Sequence, residues 1–230
     1  MSEVLADSAF FGVLISISSY GLGVALKKKF KLAVFNPLLI SIIITMAVIM
    51  ILNVDYEAYN AGAQYLSWFL TPATVALAVP LYEQLRLLRK NFAAIILGII
   101  SGVVTSLTSV FLMALAFGLS HKEYVTLLPK SITTAIGMGI SEELGGYITI
   151  SVAVIVITGV LGNIIAPLVC KLFRIINPVA KGIAIGSASH AVGTTKAMEM
   201  GEVEGAMSSL SIAVSGILTV GGASIFAQFI

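Results

Sequence analysis

The chain has 230 residues, of which 58% are hydrophobic and only 10% are charged. Its mean hydropathy is +1.06, which is typical of integral membrane proteins and excludes an ordinary soluble domain. The formal net charge of +2 does not suggest a nucleic-acid partner. A single cysteine, Cys170, excludes an internal disulfide framework and a multi-cysteine metal site.

Uncharged runs of membrane-spanning length recur along the chain. A helix needs about 20 residues to cross the hydrocarbon core. The runs that reach this length are 8–26, 32–54, 58–82, 91–120, 144–170 and 205–230. The first run has no basic residues before it and no cleavage site after it, so we interpret it as a retained helix rather than a signal peptide. We expect an all-α membrane protein with one polytopic domain over 1–230 and about six spanning helices.

The basic residues give the orientation. Ten of the thirteen Lys and Arg residues fall in three short segments, 27–31, 83–90 and 171–181, where Glu83 is the one acid. The positive-inside rule places these segments in the cytoplasm. The N-terminus should therefore lie outside, with the first helix running inward.

Two further segments are too short to cross the membrane as straight helices. Residues 127–146 lie between a run that ends outside and one that must end inside at Lys171, which favours a re-entrant hairpin entering from outside. Residues 182–199 are interrupted by His190 and Gly193 and follow a cytoplasmic segment, so a re-entrant element here would enter from inside. A full crossing is the alternative, and it leaves the side of the C-terminus open.

Short internal matches indicate possible inverted repeats. Pro72 aligns with Pro129 at an offset of 57 residues, and FNP at 35–37 matches INP at 176–178 at an offset of 141. Pro- or Gly-interrupted hydrophobic segments in corresponding places point to the binding site of a transporter.

Helix ends inside a membrane are candidate anion sites, because their first N–H groups are unpaired and the positive end of the helix dipole faces the gap. Pro72 and Pro129 suit the first turn of such half-helices, and Gly193 suits a helix break. Lys130 and Lys196 lie outside the three basic segments and are natural counter-ions for a small carboxylate. The predicted substrate-binding residues are Thr71, Thr74, Lys130, Ser131, Thr133, Thr134, Ser187, Ser189, His190, Gly193, Thr194, Thr195 and Lys196.

Each of these residues also has a structural interpretation. Hydroxyl groups in membrane helices often bond to the carbonyl one turn back. Either lysine can snorkel to the interface, and Glu199 can pair with Lys196 at helical spacing. His190 can be a hydrogen-bonded packing element, a proton carrier or a ligand contact. Gly98 and Gly102 indicate close helix packing.

Three motifs resemble the LrgB/CidB family of bacterial inner-membrane proteins. They are FLTPATVALAVPLYEQ at 69–84, LLPKSITTAIG at 127–137 and GIAIGSASHAVGTTKAMEMGEVEGAMSSL at 182–210. The resemblance implies either an antiholin-like factor that modulates murein hydrolase activity and autolysis, or a component of a carrier for pyruvate, glycolate or glycerate. It also implies a smaller partner of the LrgA/CidA type.

Two classes of function follow for this chain. In the first, it is a carrier for small monocarboxylates, with the broken segments lining an anion site. In the second, it regulates lysis through oligomer assembly, with the polar segments mediating helix contacts. The chain has no P-loop, zinc-ligand cluster or activated nucleophile, so we expect neither an enzyme nor a cofactor or metal. We expect a homo-oligomer in the bilayer.

Overall fold

The computed structural model describes residues 10–30, 32, 35–76 and 78–230. The described residues form helices and no strands, which confirms the predicted all-α fold. In chain order the helices are α1 (Phe11–Phe30), α2 (Pro37–Leu52), α3 (Tyr56–Ser67), α4 (Leu70–Ala76), α5 (Ala78–Glu83), α6 (Leu85–Lys90), α7 (Phe92–Phe117), α8 (His121–Leu127), α9 (Thr134–Glu143), α10 (Ile148–Leu172), α11 (Pro178–Met200) and α12 (Glu202–Phe226).

Three helices are long and apolar enough to cross a membrane, namely α7, α10 and α12, and α2 is a shorter apolar helix. This count over the described residues is lower than the expected six. The difference is clearest at 58–82, where α3 ends at Ser67 and α4 begins at Leu70 instead of continuing as one span. This boundary lies about one turn before Pro72, because proline clashes with the carbonyl four residues earlier and cannot bond to it.

The chain divides into two compact units, Met1–Ala76 and Leu77–Ile230, which we call unit 1 and unit 2. The prediction of one domain over 1–230 stays a prediction. In unit 1, α1 packs on α2 and α3. Gly23 approaches the backbone of Pro37 too closely for a side chain, and the Ser16 and Tyr59 hydroxyls lie 2.7 Å apart. The predicted outside position of the N-terminus concerns residues 1–9, which lie outside the described residues.

The two Asn-Pro motifs begin helices in the same way. Asn36 caps α2 and Asn177 caps α11, each with proline at the first helical position. Their side-chain oxygens accept hydrogen bonds from Leu38 N at 2.9 Å and Val179 N at 2.8 Å. These caps satisfy backbone N–H groups that have no partner inside the helix. The predicted match between the motifs is thus confirmed at the level of local structure.

Basic residues cluster at one common end of the long helices of unit 2. Arg89 and Lys90 precede α7, and Lys171 and Arg174 lie at the end of α10. The positive-inside rule predicts that this is the cytoplasmic end, and we name the two ends of unit 2, cytoplasmic and outer, accordingly. At the other end, the Tyr124 hydroxyl of α8 donates to the carbonyl of Phe226 at 2.9 Å. The chain terminus after α12 therefore lies at the outer end of unit 2.

Helices α8 and α9, with the turn 128–133 between them, form what we call the outer hairpin (residues 121–143). It begins at the outer end with a capping box, in which Ser120 and Glu123 bond reciprocally. Hydrogen bonds from the Ser120 side chain and backbone hold the pKa of Glu123 below its usual value. The turn reaches the middle of α7, where Ser131 meets Ser106. The hairpin thus enters from outside and returns, as predicted for 127–146.

Helix α11 also reverses direction, and its first arm, 178–189, runs alongside α12. Gly182 lies against Glu204, and Gly186 lies against Ser208, with no room for a side chain at either glycine. Residue numbers increase together along both elements, so the arm and α12 are parallel. The small residues let the two backbones approach closely, as is typical of helix contacts in membranes.

The second arm of α11, 191–200, returns toward the cytoplasmic end. A Cβ on Gly205 would lie 2.8 Å from the Met198 side chain, and one on Gly193 would lie 3.2 Å from Ile185. A straight helix would hold Gly193 and Ile185 about 12 Å apart, so the chain folds back between them. The reversal occurs at His190 (φ 42°, ψ −143°). We call residues 178–200 the inner hairpin. The two predicted alternatives for 182–199 were re-entry and a full crossing, and the structure shows re-entry.

This topology predicts an outside C-terminus, because α12 starts beside the inner hairpin at the cytoplasmic end and ends beside α8. We expect alkaline phosphatase fused after Ile230 to be active and green fluorescent protein fused there to be dark. A fusion after Phe173, at the cytoplasmic end of α10, is the control and should give the opposite pair of signals. Fluorescence from the C-terminal fusion would contradict the hairpin topology.

Candidate functional site

The tips of the two hairpins approach neighbouring turns of α7 near the middle of unit 2. On α7, Gly102 lies against Ser187 of the inner hairpin, and Ser106 bonds to Ser131 of the outer hairpin. These α7 residues are four apart, or about 6 Å along the helix. The close packing expected at Gly102 and at Gly98 is therefore present, with Ile183 and Ser187 as the neighbours.

Lys130 lies at the tip of the outer hairpin among hydroxyl groups. Its Nζ donates to Ser131 Oγ at 3.0 Å and to Ser106 Oγ at 3.3 Å. The two hydroxyl oxygens are 2.9 Å apart. Neither ion pair found among the described residues of unit 2 involves Lys130. Its charge is thus solvated by neutral oxygens.

Pro129 occupies a different place from the one predicted. It is fully buried in the turn between α8 and α9, and α9 begins only at Thr134. The expectation that Pro129 stands in the first turn of a half-helix is wrong, because Ile132 bonds back to the Pro129 carbonyl and closes a turn there. Pro72, by contrast, is in the first turn of α4.

Two half-helices begin at the tips. Thr133 is the N-cap of α9, Thr134 is its first residue, and the Thr133 side chain makes no capping hydrogen bond. The return arm of the inner hairpin begins at Ala191. Both helix starts direct backbone N–H groups and the positive end of a dipole toward the middle of unit 2. Such ends bind anions.

His190 makes the turn of the inner hairpin. Its side chain is buried, and its Nε2 lies 3.0 Å from the carbonyl oxygen of Ile155 in α10. A carbonyl only accepts, so Nε2 carries the hydrogen. The helix break is at His190 and not at Gly193 as predicted; Gly193 is helical and packs against Ser189 instead. Of the three predicted roles for His190, the structure supplies the hydrogen-bonded packing element.

The other polar residues of the inner hairpin form hydrogen bonds within it or contact neighbouring helices. Ser187 Oγ donates to the carbonyl of Ile183, one turn back. Thr194 Oγ1 donates to the carbonyl of His190 at 2.9 Å and lies 2.7 Å from Ser208 Oγ of α12. Ser189 fits where Gly162 of α10 leaves space.

Asn163 was not among the predicted residues, although it links α10 to the return arm. Its Nδ2 donates to the carbonyl of Val192 at 2.8 Å and to Thr195 Oγ1 at 2.9 Å. A single asparagine in an apolar run of 25 residues was the available signal. Ser106 was also not among the predicted residues, because no local sequence pattern indicates its contact with Ser131, which is 25 residues later.

Lys196 has a partner of its own, and the two predicted threonines belong to unit 1. Lys196 Nζ is 2.8 Å from Glu199 Oε2, which confirms the alternative of an ion pair at helical spacing. Thr71 is exposed on α4 in unit 1, and Thr74 follows it in the same helix. The site described here consists of residues of unit 2.

These features define the class of protein: a polytopic membrane protein with two re-entrant hairpins entering from opposite ends. The chain belongs to the LrgB-like family, whose model matches residues 16–229. It is 38% identical over 222 residues to the antiholin-like protein LrgB of Bacillus cereus (strain B4264), covering 96% of each chain. The protein of that name from Bacillus anthracis (strain A0248) matches equally. No solved structure matches the chain significantly. As a member of this family it is a multi-pass protein of the bacterial cell membrane.

The backbone at His190 predicts an unusual order of stability between two variants. A positive φ costs most residues about 1–3 kcal/mol but costs glycine little. Both His190→Gly and His190→Ala lose the bond to Ile155, yet only the glycine relieves the backbone strain. We therefore expect His190→Gly to melt at a higher temperature in detergent than His190→Ala. In an ordinary helix alanine is the more stable by about 1 kcal/mol, so that order would contradict the reversal at His190.

Proposed function

We propose that this protein is a carrier component for small monocarboxylates of the pyruvate, glycolate or glycerate class. The observation that carries the proposal is the placement of both hairpin tips on neighbouring turns of α7, where two half-helices begin and Lys130 is solvated by two serine hydroxyls. Broken helices whose N-termini face the middle of a membrane domain are a recurring form of anion site in transporters.

Lys130 carries the charge of the proposed site. An ammonium group at membrane depth needs a compensating partner, and in the described part of unit 2 its own partners are neutral hydroxyls. Lys196 was the second predicted counter-ion, but its charge is already balanced by Glu199. We therefore assign the carboxylate to Lys130, the serines beside it and the start of α9, with Lys196 outside the site.

Uptake of labelled pyruvate and glycolate into proteoliposomes tests this assignment. Lys130→Ala should lower uptake about tenfold or more, because a hydrogen bond to a charged group contributes about 1.5–3 kcal/mol. Lys130→Arg should retain part of it. Lys196→Ala is the matched control and should stay within about twofold, since an exposed ion pair contributes little.

The experiment is run with and without an LrgA/CidA-type subunit, because that partner and self-assembly are part of the proposal. Full uptake by Lys130→Ala would overturn the assigned site. Absence of uptake by the wild type under both conditions would overturn the carrier function.

The second candidate is control of murein hydrolase activity, which the antiholin-like name of the relatives favours. If lysis control is a consequence of carboxylate flux, Lys130→Ala should fail to restore normal autolysis to a deletion strain while Lys196→Ala restores it. If the protein acts by assembly alone, both variants should restore it. Membrane levels of each variant are measured by immunoblot so that loss of protein is not read as loss of function.

A further inference from the structure

A crevice of about 750 Å³ lies between α7 and the first arm of the inner hairpin. Leu87, Asn91 and Asn177 line it at the cytoplasmic end. Gly102 and Ser187 line its deep end, at the level of the hairpin tips. The crevice therefore runs from the basic end of unit 2 toward the proposed anion site.

At the deep end the first arm of the inner hairpin and α7 are in closer contact than at Gly98 and Ile183. A Cβ on Gly102 would lie 2.8 Å from Ser187 Oγ, so the arm and α7 touch there. Ser106, which bonds to Lys130, is on the same side of α7 one turn farther from the cytoplasm. The closed layer between the crevice and the lysine is thus about one helical turn, or 6 Å, thick.

The lining of the crevice combines polar and apolar groups. Asparagines stand at the mouth, and Ser101 and Ser187 stand deeper, while glycine, alanine and the aliphatic side chains of Val179, Ile183 and Val203 line most of the rest. Polar residues in spanning segments generally face a protein interior or a water-filled cavity. Arg86 and Arg89 flank Leu87 in sequence at the mouth, and positive charge there raises the local concentration of anions.

We propose that this crevice is the cytoplasmic access route of the carboxylate, and that the contact of Ser187 with Gly102 is its inner gate. The inference rests on the proposed carrier function. It adds the path by which the site is reached from the cytoplasm and the pair of residues that must part to open it.

Cysteine labelling tests the route. Cys170→Ser removes the single native thiol. Ala184→Cys then places a thiol in the crevice, and Leu168→Cys places one on the exposed surface of α10 outside it. We expect a membrane-impermeant maleimide to label Ala184→Cys from the cytoplasmic side in inside-out vesicles, much faster than Leu168→Cys. Pyruvate uptake measured before and after labelling should fall strongly for Ala184→Cys and stay unchanged for Leu168→Cys.

The outcomes separate the route from the carrier function. Equal, slow labelling of both thiols would show a crevice filled by lipid or protein and overturn the route. Labelled Ala184→Cys that still transports at its unlabelled rate would also overturn the route and leave the carrier standing. Absence of uptake by the unlabelled wild type would remove the carrier function, and the route with it, whatever the labelling.

Substitutions that change the side-chain volume at Gly102 and Ser187 test the proposed gate. Gly102→Ala adds a methyl group against Ser187 and should reduce uptake several-fold, and the double variant Gly102→Ala/Ser187→Gly should recover much of it. Gly221→Ala is the control, because a Cβ there has open space around it. Equal uptake by Gly102→Ala and wild type, or no recovery in the double variant despite normal protein levels, would overturn the gate.

Discussion

A helix that stops inside a membrane exposes backbone groups that the lipid cannot satisfy, and in unit 2 helix α10 supplies partners for the two places where this happens. At the inner hairpin, the Ile155 carbonyl accepts from His190, and Asn163 donates to the carbonyl of Val192. At the outer hairpin, Ser151 donates to the carbonyl of Thr126. Helix α10 therefore holds both hairpins by hydrogen bonds close to their reversals.

The same helix makes room for the tips. Gly159 and Gly162 of α10 leave space that His190 and Ser189 occupy. In a membrane the hydrophobic effect does not drive helices together, so close packing and polar contacts must do so. One stretch of α10, from Ile155 to Asn163, provides both the space and the hydrogen bonds. It holds the start of the return arm in a fixed place.

The sequence located the broken segments better than it described them. The short polar stretches at 127–146 and 182–199 predicted two hairpins, and charge predicted the side from which each enters. The break itself was expected at Gly193 because glycine tolerates unusual dihedral angles. It occurs at His190 because a bond to Ile155 and the gap at Gly159 stabilise a histidine there, and contacts between residues 35 apart leave no local signal.

Other expectations failed for related reasons. Proline predicted an interruption in 58–82 and near Pro129, but a proline does not show on which side of it the helix ends. Pro129 lies in a turn, and the break in 58–82 lies before Pro72, between Ser67 and Leu70. The neighbour of Lys196 could be predicted, because Glu199 is three residues away on the same helix. The contact of Lys130 with Ser106 could not, since Ser106 comes from another helix.

The different partners of the two lysines determine how each could contribute to anion binding. Lys196 pairs with Glu199 within one helical turn, so its charge would add little to the binding free energy of an anion. Among the described residues Lys130 is solvated by two serines from different elements and has no anionic partner, and a carboxylate would replace these weaker neutral oxygens with a full opposite charge. Because Ser106 belongs to α7 and Ser131 to the outer hairpin, an anion bound to Lys130 would act at the joint between them. Ser187 touches α7 one turn below that joint. In the proposed carrier, binding at Lys130 and opening at Ser187 would therefore act on neighbouring turns of one helix, and α7 would link the proposed anion site directly to the proposed gate.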